Sequence, residues 1–365
     1  MQRRSNNVTA YERVLAVLDY LKSNTNKDKK ITAAELLNAK DIKEVIKSDD
    51  TLNILLKELM RLTNYNDSGG KVLCDNVKHI ISENQKYARF GGIYYQPVFS
   101  YEEIDAIIES LRFSKSLDTQ TANSLIKKIK DNLTDNYYSD SKSGICNVKE
   151  ADLSDRKLLS ENISVINSAI LNDGCISFYF NGYNKDKNLQ KVHEKKHVVT
   201  PFYMVAYNGR YYLIAGKKKY SNLSIWRIDL MTEVKQSVQR ESAENYIDKS
   251  KCNGVPLEWE DKFVYNHLGM SFDEPTYITL KIIKTSHFKG ADYTFLYDCF
   301  GDTFKVTEEH DEFDIVKVKC SPFGITKFAL QYCDRTEVLE PTYVRDMVVD
   351  KIKNLNSKYG PNQLE

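Results

Sequence analysis

Apolar positions in the first part of the chain recur at helical spacing. In the stretch 9–23, TAYERVLAVLDYLKS, Val14, Leu15, Leu18 and Leu21 fall on one face and Thr9 stands where a helix cap belongs. A second, short helix is predicted over 31–40, where Thr32 and Glu35 have the three-residue spacing of a capping box. A third is predicted over 48–63, with Leu52, Leu55, Leu56, Leu59 and Leu62 on one face. The polar NDSGG follows, and then β-type runs around 71–95. Three short helices and a hairpin sketch a winged helix-turn-helix whose third helix reads DNA. A generic three-helix unit fits the same pattern.

Beyond residue 95 the pattern alternates between the two periods. Helices are predicted over 99–117, with Ser100 and Glu103 as a second box, and over 119–133; together they read as a helical linker. SDSKSG, 139–144, is a loop boundary. A helix over 156–174 ends at Gly174 and feeds the strand CISFYF, 175–180. NGYNKDKNLQ, 181–190, reads as a polar loop. Asn208-Gly209 is a hairpin turn between two aromatic, β-branched runs. In 224–236, Trp226, Ile228 and Leu230 alternate with Arg227, Asp229 and Met231, which predicts one strand. After Pro256 come strands over 276–283, 303–309 and 313–321, a helix over 322–333, a strand over 335–341 and a closing helix over 342–359. That order suggests a small α+β domain.

One short stretch carries candidate chemistry. HEKKH, 193–197, has the spelling of a zinc-protease motif, which needs a helix so that two histidines four apart share one ion. Val198, Val199, Thr200 and Pro201 follow, and they favour an extended chain. On a strand the two imidazoles lie about 13 Å apart. The expectation is therefore two polar histidines on a basic strand and no metal. The remaining histidines, 79, 267, 287 and 310, are isolated. No Gly-rich phosphate loop, G-x-S-x-G or Cys/His nucleophile context is present, so the chain reads as a non-enzyme without a cofactor.

Composition bounds the rest. At 365 residues the chain has room for two or three cores. The basic N-terminus lacks the apolar core of a secretory signal, and no run of about 18 apolar residues suggests a membrane span. Seven dispersed cysteines, with no C-x-x-C, read as reduced thiols of a cytoplasmic protein. The net charge of +1 hides an asymmetry. Residues 181–227 hold ten Lys and Arg against two acids, residues 1–90 hold 16 against 12, and residues 241–365 hold 15 against 22. A basic block interleaved with Tyr183, Phe202, Tyr203, Tyr207, Tyr211, Tyr212, Tyr220 and Trp226 suits a polyanion with stackable bases. The same block also fits aromatic core residues beneath a solvated lysine face.

The order and the residues resemble the bacterial WYL-domain transcriptional regulators over nearly the whole chain. The resemblance rests on Ile176–Phe180, Val199–Met204, Asn208–Leu213 and Trp226–Leu230, and on VLEPTYVRDMVVDKI, 338–352, which looks like the C-terminal extension called WCX. It implies an α+β, multidomain chain. Residues 1–95 would be the winged helix-turn-helix, 96–154 the helical linker, 155–245 an Sm- or SH3-like β-barrel (WYL), and 246–365 a ferredoxin-like α+β domain (WCX). It also implies a homodimer whose barrel senses a ligand, in several members a nucleic acid. Tyr211 stands where the family has Trp, and Leu230 where it has a second arginine. The third helix carries Asp49, Asp50 and Ile54 beside Thr51 where the family has arginines.

These readings give two sets of site residues. Thr51, Asn53, Lys57 and Arg61 would meet duplex DNA, with Arg3, Arg4 and Arg13 as further phosphate contacts. Arg227, matched to the family's ligand arginine, would centre an effector site flanked by His193, His197, Thr200 and Tyr203, with Tyr179 or Tyr183 as stacking candidates and with Tyr211 and Tyr212 also in the site. The effector would be a single-stranded nucleic acid or a small anion. The alternative function is a single-strand-binding accessory protein, for instance in phage defence, that no longer reads duplex sequence. The acidic start of the third helix favours it.

Overall fold

The computed structural model describes residues 8–65, 69–82, 85–114, 117, 119–139, 156–237, 244–285 and 292–360. The chain divides into two compact units, residues 1–151 and 152–365. The loop expected over 139–144, Arg3, Arg4, Cys146 and His287 lie wholly or largely outside the described residues.

In the first unit, α1 (Ala10–Asn24), α2 (Ala33–Asn38), α3 (Lys40–Val45) and α4 (Asp49–Tyr65) precede a hairpin of β1 (Lys71–Ser82) and β2 (Gln85–Gln96). The capping box expected at the head of α2 forms, and Thr9, expected as a cap, makes one as well: Thr32 and Thr9 accept from Glu35 N and Glu12 N while the Glu carboxylates accept from the cap N–H. The short α3 was not legible: Ala39 adopts an extended conformation and splits what reads as one segment. Val17, Leu21, Leu36, Ile42, Leu52 and Leu56 close one core against Val72 and Ile93. Ile31 forms a bridge to Ile93 with backbone bonds of 2.9 and 2.7 Å, so the segment before α2 lies on the hairpin's edge. A helical pair, α5 (Tyr101–Phe113) and α6 (Thr119–Leu133), packs through Ile104, Ile108 and Ile126.

The second unit opens with α7 (Arg156–Leu171) and six strands: β3 (Ile176–Tyr183), β4 (Leu189–Lys191), β5 (His197–Tyr207), β6 (Arg210–Lys217), β7 (Asn222–Arg227) and β8 (Met231–Gln236). They run β4-β3-β5-β6-β7, with β8 on β3, and β7 and β8 do not pair, so the sheet curls into a half-barrel and does not close. Two strand expectations need correction. The polar loop over 181–190 is partly strand, because β3 continues to Tyr183 and pairs with β4. The single strand over 224–236 is broken at Ile228–Leu230, a 3-10 turn that hands the chain from β6's partner to β3's partner. Two buried amides hold that corner. Asn162 of α7 donates to Met231 O at 3.0 Å, and Asn181 of β3 donates to Leu230 O at 2.9 Å. The Asn208-Gly209 turn forms as expected, with φ of 49° and 71°, the left-handed pair that a two-residue hairpin requires. Leu159, Ile166 and Ala169 of α7 seal the core over Ile176, Phe178, Val199, Leu213 and Met231.

The short α8 (Lys262–Asn266) leads to β9 (Thr276–Ile283), α9 (Thr294–Phe300), β10 (Lys305–Glu309), β11 (Phe313–Cys320), α10 (Pro322–Gln331), β12 (Thr336–Glu340) and α11 (Thr342–Tyr359). The antiparallel order is β10-β11-β9-β12. Ile278, Leu280, Val316, Val318 and Val338 point to one side, where Leu296, Phe300, Ile325 and Phe328 of the helices meet them. The helix α9 was missed; its only clear apolar signal is the short Phe295-Leu296 and Phe300 set.

Candidate functional site

The chemistry of the curled sheet starts at the broken strand. Ending β7 at Arg227 and turning at once into 228–230 buries the Asp229 side chain to 5% exposure. Asp229 then accepts a two-pronged bond from Arg227, Nε to Oδ1 at 3.1 Å and Nη2 to Oδ2 at 2.6 Å, and a third from Arg210 Nη1 at 3.1 Å. One carboxylate thus holds two arginines, and the cluster keeps a net positive charge. The Asp229 bonds raise Arg227 further above its ordinary range, so its guanidinium is a fixed cation. Tyr183 at the end of β3 stands in the same field: burial raises its phenol, Asp229 adds to the rise, and Arg227 and Arg210 oppose it. Tyr212 sits opposite Arg227 in the β6–β7 register. The sequence identified Arg227, Tyr183 and Tyr212; it missed Arg210 and the orienting role of Asp229. A pair of arginines at the two ends of the hairpin β6–β7 was the available signal.

A second cluster forms around Trp226, the neighbour of Arg227 in β7. The histidine expectation needs correction here. Residues 193–196 bend before β5 begins, and this brings the His193 and His197 rings to 5.9 Å, not the separation of an extended strand. No group of three or more His, Cys, Asp or Glu gathers at a metal-binding distance among the described residues. His197 packs on Trp226 at 4.7 Å and Phe178 at 5.7 Å. Lys217 Nζ donates to His197 Nδ1 at 3.2 Å and lies 5.5 Å from the Trp226 ring centroid. A protonated amine on Nδ1 places the imidazole proton on Nε2, which is buried and unpartnered. Burial first, then Lys217 and His193, push His197 down to about 4, so it is neutral near pH 7. Burial also lowers Lys217. A depression of 630 Å³ opens beside them, lined in part by Phe180, Lys217, Trp226, His267 and Phe272. Lys217 and Trp226 were not among the expected site residues.

The other expected residues separate. Tyr179 lies beneath Lys191 at 3.6 Å and Lys196 at 5.0 Å, and Lys196 is paired with Glu233 at 3.0 Å. Tyr211 packs against the core. Thr200 is buried and accepts from Ile247 N at 3.0 Å, so its hydroxyl braces the chain after β8. The Tyr203 hydroxyl donates to Pro256 O at 3.0 Å and Leu257 O at 2.9 Å, and Lys249 donates to it in turn at 3.2 Å.

In the first unit, α4 starts on a Ser48 cap that accepts from Thr51 N at 3.2 Å, and the two hydroxyls lie 2.7 Å apart. Asn53 donates back to Asp49 O at 2.9 Å and its Oδ1 is buried. Thr51 and Asn53 are therefore half-buried, while Lys57 and Arg61 are exposed. Arg61 is engaged by Glu58 at 2.6 and 3.0 Å. The exposed face also carries Asp50, Ile54 and Leu62, so its charges cancel. Arg89 of β2 approaches Asp49 at 3.8 Å. Arg13, the remaining phosphate candidate, has its Nε buried without a partner.

The curled sheet and its helix can now be placed. Residues 161–236 match the WYL domain. The WYL segment runs from within α7 to the end of β8 and contains the Arg210–Asp229–Arg227 cluster, Lys217 and Trp226. A comparison with curated proteins gives no match. Among solved structures, the chain is similar to the proteasome accessory factor B/C (PafBC) of Arthrobacter aurescens at 12% identity, with a TM-score of 0.25, over 78% of this chain and 40% of that one. It thus spans well under half of that protein's length. It is also similar to a CRISPR Cas-related protein at 13% identity, with a TM-score of 0.35, over 97% of this chain and 84% of that one.

Proposed function

We propose that the chain is a WYL-type transcriptional regulator. Residues 1–95 act as a winged helix-turn-helix, 96–154 as a helical linker, 155–245 as the sensing WYL module, and 246–365 as a ferredoxin-like WCX domain. The regulator works in the cytoplasm as a homodimer, performs no catalysis, and binds duplex DNA through α4 and the hairpin that follows it. The Ile31–Ile93 bridge supports the winged reading, because it lays a third extended segment against the β1–β2 hairpin. The β10-β11-β9-β12 order supports the ferredoxin-like reading.

The observation that carries the sensing role is the arginine pair on Asp229. Two guanidinium groups share one carboxylate, so the cluster has a spare positive charge and a planar fork oriented before any ligand arrives. Tyr183 beside it offers a ring for stacking. A single-stranded nucleic acid supplies both the phosphate and the base; a small anion supplies only the first. The test is binding of short oligonucleotides to the whole protein as salt is raised. Arg227→Lys keeps the charge and loses the fork, and it should weaken single-strand binding by on the order of 1–3 kcal/mol. If that variant binds like the parent, while a small anionic metabolite raises the parent's Tm, the module senses the metabolite.

The exposed face of α4 favours a second reading. Its charges cancel and it shows Ile54 and Leu62, at 69% and 48% exposure, where a DNA-reading helix gains from cations. A single-strand-binding accessory protein needs no duplex contact from that helix. Absence of duplex binding at low salt selects this reading.

A further inference from the structure

The C-terminal sheet leaves one face uncovered, and that face is unlike the domain that carries it. Residues 241–365 are acidic overall, with 22 acids against 15 bases. The outward positions of the two central strands and their neighbour nevertheless collect Lys281, Lys305, Lys317 and Lys319. The register sets Lys305 beside Lys317 and Lys319 beside Tyr277. None of these four lysines has an ion-pair partner among the described residues.

Aromatic rings sit among the lysines. Tyr277 is 63% exposed on β9, a central strand where burial of an aromatic ring is the usual economy. Lys317 and Lys319 lie 5.1 and 5.9 Å from its ring centroid. Phe313 on β11 has Lys281 at 4.4 Å over its ring and His310 stacked at 4.4 Å. A depression of 460 Å³ lies around Tyr277, lined by Lys262, Lys305, Lys317, Lys319, Asn266 and Thr303 without any carboxylate. Acids sit on the two edge strands: Glu337 on β12 stands opposite Lys281 and is held by Arg345 at 2.9 Å, Glu308 on β10 stands opposite Ile315 and meets His310 at 3.4 Å, and Lys262 is met by Glu260 from outside the lining. On the opposite side Ile278, Leu280, Val316 and Val318 are fully used by the helices.

Each feature narrows the occupant. Unpaired lysines call for phosphate. A ring left open between them calls for a flat partner that can stack. A four-stranded antiparallel sheet is wider than the major groove, which admits a two-stranded ribbon, whereas four-stranded sheets with exposed rings bind unpaired bases. We propose that the outer face of the β10-β11-β9-β12 sheet binds single-stranded nucleic acid, with Tyr277 as the base-stacking platform and Lys305, Lys317 and Lys319 on the phosphates. This surface shares no residue with the arginine cluster of the WYL segment and does not depend on it.

The test uses the whole protein and oligonucleotides of about ten nucleotides, DNA and RNA, each carrying 5-iodouracil for photocrosslinking. The expected result is a crosslink to the peptide containing Tyr277 or Phe313, for one or both sugars, that persists in an Arg227→Lys background. Tyr277→Ala, at an exposed position, should lower affinity roughly tenfold and Tyr277→Phe should restore it. Replacing Lys317 and Lys319 by Ala should flatten the salt dependence. Crosslinks confined to other peptides, or displacement of the oligonucleotide by inorganic polyphosphate with Tyr277→Ala binding like the parent, would overturn the proposal.

Discussion

At the scale of single residues, the most consequential placement is Asp229. The sequence sets it between Arg227 and Leu230 in what reads as one strand, and alternation says nothing of a carboxylate that must be buried. Burial is possible because Arg210 and Arg227 both reach it, at 3.1 and 2.6 Å. Asp229→Ala leaves two half-buried guanidinium groups without their acceptor. It should lower stability by about 2 kcal/mol in urea titration, and should weaken effector binding even though no ligand contact is removed. Asp229→Asn should retain part of the stability. His197 gives a second residue-scale prediction. Its folded value, about 4, lies below the ordinary 6.5, because burial and Lys217 disfavour the imidazolium. Unfolding therefore takes up a proton between those values, so the stabilising share is complete above pH 6.5 and is lost as pH falls toward 4. NMR titration should place the His197 midpoint near 4, and Lys217→Met should move it upward. A midpoint near 6.5 in the parent would contradict the burial account.

At the scale of elements, legibility followed the length of the repeating pattern. The helices α1, α4, α5, α6 and α11 and the strands β9 and β11 each carry a full periodic run, and the caps of α1 and α5 are local chemistry: Thr9 and Ser100 each meet a glutamate three residues on. The elements that were misread depend on partners far along the chain. The corner at 228–231 is held by Asn162 and Asn181, which donate to Met231 O and Leu230 O from 69 and 49 residues away. The bend before His197 places that ring on Trp226, a contact no local pattern encodes. The candidate site was half legible for the same reason: Arg227 was matched by motif, while Arg210 and Lys217 become relevant only through the pairing of β6 with β7. On α4, Lys57 has no ion pair among the described residues whereas Arg61 is held by Glu58. Lys57→Ala should reduce the salt slope of duplex binding by about one, and Glu58→Gln should strengthen binding by releasing Arg61. Equal slopes in parent and Lys57→Ala would remove α4 from the DNA interface.

At the scale of the whole molecule, the proposed function joins a duplex-binding unit to a sensing module on one chain. The charge distribution fits such a division: residues 181–227 carry ten cations against two acids, while residues 241–365 are acidic overall and gather Lys281, Lys305, Lys317 and Lys319 on one sheet face. A sensor coupled to a DNA reader obeys linkage, so an effector that changes duplex affinity must have its own affinity changed by duplex to the same extent. The direct measurement is the duplex affinity of the full chain, using duplexes selected by the protein from a random pool, with and without a saturating short single strand. The account predicts an enriched common sequence, a shift in duplex affinity of roughly fivefold or more, and loss of that shift in Arg227→Lys. An unchanged duplex affinity in the presence of bound single strand would contradict it.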